Sequence, residues 1–241
     1  MITRMPTVYD RHLLMAAMVG SMDALIFDFD GVIADSEPAH ERAIRETAAL
    51  EGFKVSHDLY TNEIIGLDDR DTFRLIGQHH QRELNASELA VLTDKKQDRF
   101  LELVDAGMVE AFPGSVELIR EASARLPIAV CSGAVRVEIE RVLENLGVRD
   151  LFPLIVTADD VESAKPDPTG YSMTAQKLGV DASRCVAIED TDKGIAAGKA
   201  AGLTVVGVCH SLPRERLSQA DSVYATIEEL SLDRLRELIA V

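Results

Sequence analysis

From Phe112-Pro113-Gly114 to the C-terminus, short apolar runs alternate with amphipathic stretches, and this alternation leaves few architectures open. Strands are expected over 128–131, 154–156, 185–188, 204–208 and 222–224. Helices are expected over 115–125, 135–146, 169–178, 194–201 and 232–239. Repeated strand–helix–strand units pair their strands in parallel and carry the crossover helices on the two faces of one sheet. An earlier run, Leu25-Ile26-Phe27-Asp28-Phe29, is rich in β-formers and stops at Asp30-Gly31, so it reads as a buried strand over 25–29. A lone strand is not stable, so this one must join the same sheet. The fold class that follows is α/β, a doubly wound parallel sheet.

Between that first strand and Phe112 the pattern is helical. Ser36 can cap a helix over 38–51, with Pro38 in its first turn and Gly52 at its end. Further helices are expected over 59–65, 71–80 and 86–106, the last with Leu89, Leu92, Phe100, Leu103 and Val104 as its apolar stripe. No strand is expected between 37 and 111. The chain thus divides into an N-terminal extension (1–21), a sheet core (22–36 and 113–241) and an inserted all-helical cap (37–112). Two crossings, at Ser36-Glu37-Pro38 and Phe112-Pro113-Gly114, suit a lid on hinges.

The 241 residues are 46% hydrophobic and 27% charged, enough for a sizeable core. Lys plus Arg number 25 against 41 Asp plus Glu, a formal charge of −16, which argues against nucleic acid or an anionic membrane as partner. A small anion remains compatible, because a local cation or metal overrides the global field. No apolar stretch is long enough to span a bilayer. Cys131, Cys185 and Cys209 are odd in number and far apart, as expected of thiols in a reducing cytoplasm. Arg4, Arg11 and the apolar run 13–19 resemble a secretory leader, but the run is short for one, so 1–21 is read as an extension.

The polar residues that interrupt the strands carry the chemistry. Asp28 and Asp30 share a face if the extended geometry persists, and carboxylates that close repel unless a cation or proton intervenes. Ser132-Gly133 follows the second expected strand, Lys165-Pro166-Asp167-Pro168 the third, and Glu189-Asp190 ends the fourth. Each has a plain reading alone: a Ser-Gly turn, a surface lysine, an acidic pair complementing a helix dipole. Four strand ends, however, bring these groups to one sheet edge, the edge where open α/β sheets bind ligands.

Asp28-Phe29-Asp30-Gly31-Val32, Cys131-Ser132-Gly133, Lys165-Pro166-Asp167-Pro168 and Ile188-Glu189-Asp190 together resemble the motifs of the haloacid dehalogenase-like superfamily. The resemblance runs from Met22 onward. It is to the capped group holding phosphoglycolate-type phosphatases, sugar-phosphate phosphatases and β-phosphoglucomutase, and it implies a Rossmann-like core. It implies that Asp28 is a nucleophile forming an aspartyl-phosphate and that Asp30 is the general acid and base. It implies Mg²⁺ held by Asp28, the Asp30 carbonyl, Glu189 and Asp190. Ser132, Lys165 and the Gly133 N–H would hold the phosphoryl oxygens. Dehalogenases of the superfamily lack an acid at the position of Asp30, so phosphoryl transfer is the expected chemistry.

Specificity is expected to lie in the cap. His40, Arg70 and Lys96 are residue types that β-phosphoglucomutase carries at corresponding positions, where they serve the distal phosphate, the sugar and cap closure. They could equally be helix-surface residues with i,i+4 partners. After Ser132-Gly133, Ala134-Val135-Arg136 replaces the polar serine and asparagine of the mutase pattern; only Arg136 could supply a charge to a substrate. The expected activity is therefore that of a Mg²⁺-dependent phosphoric monoester hydrolase acting on a small phosphorylated metabolite, a sugar phosphate or phosphoglycolate-like compound. The alternatives are a β-phosphoglucomutase and a non-catalytic phosphometabolite sensor. A monomer or small homo-oligomer is expected.

Overall fold

The computed structural model describes residues 22–239, so the expectation for the N-terminal extension lies outside the described residues. Strand β1 (Ala24–Phe27) is fully buried, as a parallel strand covered on both faces must be. It ends two residues before the apolar run does, because Phe29 leaves the sheet. The Phe29 carbonyl accepts from the N–H groups of Ile33 at 2.8 Å and Ala34 at 3.1 Å, folding the chain back on itself. Gly31, at φ +77°, supplies the left-handed turn.

The chain then makes a two-residue strand, β2 (Ala34–Asp35), which pairs antiparallel with β3 (Glu110–Ala111). The expectation of no strand between 37 and 111 fails at β3. Glu110-Ala111 carries no strand signal of its own, and its pairing is supplied entirely by β2. Between them run α1 (Glu37–Leu50), α2 (Asp69–His79) and α3 (Ala86–Asp105). The helix expected over 59–65 is instead one turn at His57–Leu59 followed by a π turn at Tyr60–Ile64. Asn85 and Glu88 form a capping box that starts α3.

Helix α4 (Ser115–Ser123) leads to β4 (Ile128–Cys131), α5 (Arg136–Asn145) to β5 (Leu154–Val156), and α6 (Thr169–Leu178) to β6 (Cys185–Glu189). Helix α7 (Asp192–Ala200), β7 (Thr204–Val208), β8 (Ser222–Tyr224) and α8 (Leu232–Glu237) complete the chain. The six-stranded sheet has the order β5-β4-β1-β6-β7-β8, with every pair parallel. Ile26 pairs with Ala129 on one side and Ala187 on the other. The strand order reverses about β1, so Asp28 emerges at the topological switch point.

Side chains alternate across the sheet with period two. Leu25 and Phe27 join Ile119, Ile139, Val142 and Leu235 on one face. Ala24 and Ile26 join Tyr171, Ala175 and Ile195 on the other. The insert has its own cluster around Phe53, Tyr60, Phe73, Ile76 and Leu92. Its basal residues Ala39, Ala43, Phe100 and Leu103 belong to the sheet's cluster with Phe29 and Ile33, so its foot is packed on the core. No helix among the described residues is long and apolar enough to cross a membrane.

Candidate active site

Asp28 continues the ladder one residue past β1, its N–H donating to the Ile188 carbonyl at 3.0 Å. That bond aims a buried carboxylate at the end of β6, where Glu189 and Asp190 stand. Lys165 arrives from the loop after β5. Its ammonium donates to Asp28 Oδ1 at 2.8 Å, Glu189 Oε1 at 2.6 Å and the Cys131 carbonyl at 3.0 Å. One cation thus gathers the ends of β1, β4 and β6. Burial alone would pull the lysine's pKa down, but the Asp28 and Glu189 carboxylates hold it above its ordinary value. Burial, then the charge of Glu189, raises Asp28 well above the usual carboxylate range, and Lys165 opposes this.

Asp28, Glu189 and Asp190 present oxygens that lie within 4.8 Å of one another. Burial, then Glu189, pushes Asp190 up to about 7. Asp190 Oδ1 is buried without a hydrogen-bond partner, a costly state that a bound cation would relieve. The backbone is shaped around the cluster. A Cβ on Gly31 would fall 1.9 Å from Asp190 Oδ2, and one on Gly194 would fall 2.0 Å from the Glu189 carboxylate. The donors are anionic oxygens, and they fit a hard divalent cation.

Asp30 accepts a hydrogen bond from the Ser36 hydroxyl, and burial raises its pKa while that bond opposes the rise. Ser132 is buried at the end of β4, its hydroxyl accepting from the Ala134 N–H at 3.1 Å. Gly133 is exposed, with open space around its Cα. His40 stacks on Phe100 at 4.1 Å between ring centroids. Burial, and after it the charge of Lys96, holds His40 well below its ordinary pKa, so its ring is neutral.

Arg70 is exposed and has no ion pair among the described residues; the neighbouring Asp69 turns inward to Lys96 instead. Helix α2 begins at Asp69, not at the expected residue 71, and that shift sets which side chain faces in. Arg136 is committed to the Ile155 carbonyl at 3.1 Å and to Asp160 at 2.6 Å. Lys96 is buried between Asp69 and Glu138.

Sequence reasoning missed several residues here. Tyr171, fully buried in α6, donates to Glu189 Oε1 at 2.6 Å. Ser211 hydrogen-bonds Asp190, and the His210 ring contacts the Gly31 carbonyl at 2.7 Å. Neither position carries a pattern. Glu138 was detectable: Ile139, Val142 and Leu143 mark the buried stripe of α5, and a carboxylate on that stripe is anomalous.

The family model described as haloacid dehalogenase-like hydrolase matches residues 25–208. The fructose-1-phosphate phosphatase YqaB of Escherichia coli K12 is 36% identical over 187 residues, covering 76% of this chain and 95% of that protein. A phosphorylated carbohydrates phosphatase of Thermotoga maritima is 29% identical, covering 90% of this chain and all (100%) of that one. Among solved structures, a D10N mutant of CbbY from Rhodobacter sphaeroides in complex with xylulose-(1,5)bisphosphate superposes with a TM-score of 0.79 at 28% identity, covering 89% of this chain and 99% of that one. Sequence match, sheet order and relatives agree: the chain belongs to the haloacid dehalogenase-like hydrolase family, as a phosphoric monoester hydrolase.

Proposed function

We propose that this protein is a Mg²⁺-dependent phosphatase that hydrolyses a small sugar phosphate through an aspartyl-phosphate on Asp28. The observation that carries the reading is the buried Asp28 carboxylate, ion-paired to Lys165 at 2.8 Å and grouped with Glu189 and Asp190, with Asp30 two residues away. Asp28, the Asp30 carbonyl, Glu189 and Asp190 would hold Mg²⁺, whose charge offsets the repulsion between an anionic nucleophile and an anionic ester.

The chain's own groups account for the rest. An Asp28 oxygen forms a bond to phosphorus as the bond to the ester oxygen breaks, and Asp30 gives that oxygen its proton. Burial keeps Asp30 protonated at higher pH than an ordinary aspartate, as a general acid requires. Ser132, Lys165 and the Gly133 N–H steady the phosphoryl oxygens. Asp30, now ionised, takes a proton from water as the water attacks the acyl phosphate, which regenerates Asp28 and frees inorganic phosphate. Residues 37–112 act as a cap over a core of 22–36 and 113–241, excluding bulk water during the first step. The free thiols among the described residues, Cys131 and Cys185 buried and Cys209 half-buried, fit a reducing cytoplasm.

The names of the E. coli and T. maritima relatives support a phosphorylated sugar as substrate. With no donor on the Ala134 side chain and Arg136 already engaged, the loop after Ser132 is poorly furnished for a second phosphate, which supports hydrolysis over a mutase cycle. The test is a panel of phosphate esters with Mg²⁺. Phosphate release that Asp28→Asn abolishes is the expected result. Bisphosphate-dependent conversion of β-glucose 1-phosphate to glucose 6-phosphate would establish the mutase instead. Tight binding without turnover would establish a sensor.

A further inference from the structure

The ammonium of Lys165 carries three protons, and all of them are committed. They go to Asp28 Oδ1 at 2.8 Å, Glu189 Oε1 at 2.6 Å and the Cys131 carbonyl at 3.0 Å. A phosphoryl oxygen held by this ammonium must therefore displace one of the three acceptors. The donors around those acceptors decide which one can be released.

Among the described residues, neither Asp28 Oδ1 nor the Cys131 carbonyl has a second donor. Turning Lys165 away from Asp28 would also strip the nucleophile of the cation beside it. Glu189 differs. Its carboxylate is fully buried, and Oε1 takes a second proton from the Tyr171 hydroxyl at 2.6 Å. If the ammonium leaves, Oε1 stays hydrogen-bonded. Without that hydroxyl, the same departure would leave a buried carboxylate oxygen unpaired, a state that folded proteins avoid. Nor can the carboxylate swing off to another partner. The backbone of α7 closes on it, since a Cβ on Gly194 would fall 2.0 Å from its atoms.

Tyr171 is fixed in place for this task. It is fully buried on α6, the helix that follows the Lys165 loop, in the cluster with Ile26, Ala187 and Ile195. Packing in that cluster calls for the ring and not for the hydroxyl. The ring centre lies 5.0 Å from Lys165 Nζ, and the phenol oxygen lies 3.4 Å from it. The ammonium thus rests against the ring while the hydroxyl reaches past it to Glu189.

We infer that Tyr171 is a positioning residue for phosphate binding: its hydroxyl holds Glu189 Oε1 in place of Lys165, so that the ammonium can turn from Glu189 to a phosphoryl oxygen without stranding a buried carboxylate. The inference rests on the phosphatase reading, in which Lys165 steadies the phosphoryl group.

The test compares wild type with Tyr171→Phe, which keeps the ring and removes the hydroxyl. Inorganic phosphate is titrated by calorimetry into each protein at saturating Mg²⁺, and Mg²⁺ is titrated in a separate experiment. Phosphate is expected to bind about tenfold more weakly to the variant, the worth of one hydrogen bond to a charged group. The affinity for Mg²⁺ should change by less than about threefold, because Lys165 stays on Glu189 and keeps that carboxylate paired. A residue that only supports the fold would move both affinities or neither. Unchanged phosphate affinity overturns the inference, and so does an equal loss of both. A second measurement needs no variant and decides the matter where Tyr171→Phe fails to fold: a crystal structure of the wild-type protein with Mg²⁺ and inorganic phosphate. Lys165 Nζ is expected on a phosphate oxygen and more than about 3.5 Å from Glu189 Oε1, with the Tyr171 bond kept. A Lys165 still bonded to Glu189, or a Tyr171 released from it, overturns the inference. Failure of the wild-type protein to release phosphate from any ester overturns the phosphatase reading instead, and that result is read separately.

Discussion

Lys165 and Asp28, 137 positions apart in the chain, meet through an Nζ to Oδ1 contact of 2.8 Å, and the same ammonium also holds Glu189. Removing it strands two buried carboxylates at the centre of the sheet edge. Breaking a buried ion pair from one side costs about 3–5 kcal/mol. Lys165→Met is therefore expected to lower the unfolding free energy by about 3 kcal/mol at pH 8 without Mg²⁺ and to cut phosphate release at least a hundredfold. Urea melts and a phosphate assay check both; wild-type stability in the variant would contradict the assigned role.

The Asp28, Glu189 and Asp190 carboxylates carry a prediction about pH. Burial and then Glu189 push Asp190 up to about 7 and Asp28 well above the ordinary carboxylate range. Their folded pKa values exceed the unfolded value of about 3.9, so the metal-free protein loses stability as pH rises from about 4 through 7. Mg²⁺ needs these groups ionised, so protons compete with it. The rise in Tm on adding Mg²⁺ should thus be larger at pH 8 than at pH 6. An identical rise at both pH values in scanning fluorimetry would count against this cluster as the metal site.

Gly31 holds a left-handed turn against Asp190, where an added Cβ would sit 1.9 Å from a carboxylate oxygen. The backbone strain alone is about 1–2 kcal/mol for a residue with a Cβ. Gly31→Ala should destabilise the protein by at least about 1 kcal/mol and weaken Mg²⁺ binding at least tenfold. Gly133→Ala meets open space and should change the unfolding free energy by less than about 0.5 kcal/mol. Denaturant titration of the two variants side by side measures the contrast.

His210 fastens the place where the insert returns. Its ring stacks on Phe112 at 4.1 Å, Nδ1 donates to the Gly31 carbonyl at 2.7 Å, and Nε2 accepts from the Ile227 N–H at 3.2 Å. Only the neutral ring can do both. Burial lowers its pKa, so its stabilisation is complete above about 6.5 and is lost as pH falls below that value. His210→Phe keeps the ring and loses both bonds, at an expected cost of about 1–3 kcal/mol at pH 7.5. The gap between wild type and variant should narrow at pH 5; a constant gap would show that the bonds do not depend on the neutral form.

Asp28, Ser132 and Glu189 could be found from sequence because each stands at the end of an apolar strand, where composition changes over one or two residues, and Lys165 because the Lys165-Pro166-Asp167-Pro168 motif marks the loop after β5. Residues on helices were harder. Asp69 and Arg70 are adjacent, and one position along a helix rotates a side chain by about 100°. Asp68 caps α2 through the Asp71 N–H, which fixes the helix start two residues earlier than periodicity indicated and turns Asp69 inward. Tyr171 and His210 depend on partners far along the chain: Glu189 is 18 positions from Tyr171, and Gly31 is 179 positions from His210. No local pattern encodes such pairings. The β2–β3 ribbon escaped for the same reason.

That ribbon sets residues 34–35 beside 110–111, so the insert starts and ends at one point on the sheet's rim. A segment whose ends already touch burdens its host as a hairpin loop does, with a closure entropy that grows only as the logarithm of its length. The helices between can be exchanged as one contiguous cassette. What the newcomer must keep is a foot of small and apolar side chains where Ala39, Ala43, Phe100 and Leu103 share a cluster with Phe29 and Ile33. An exchange of those helices would leave Asp28, Ser132 and Glu189 where the strands set them, at one edge of the sheet.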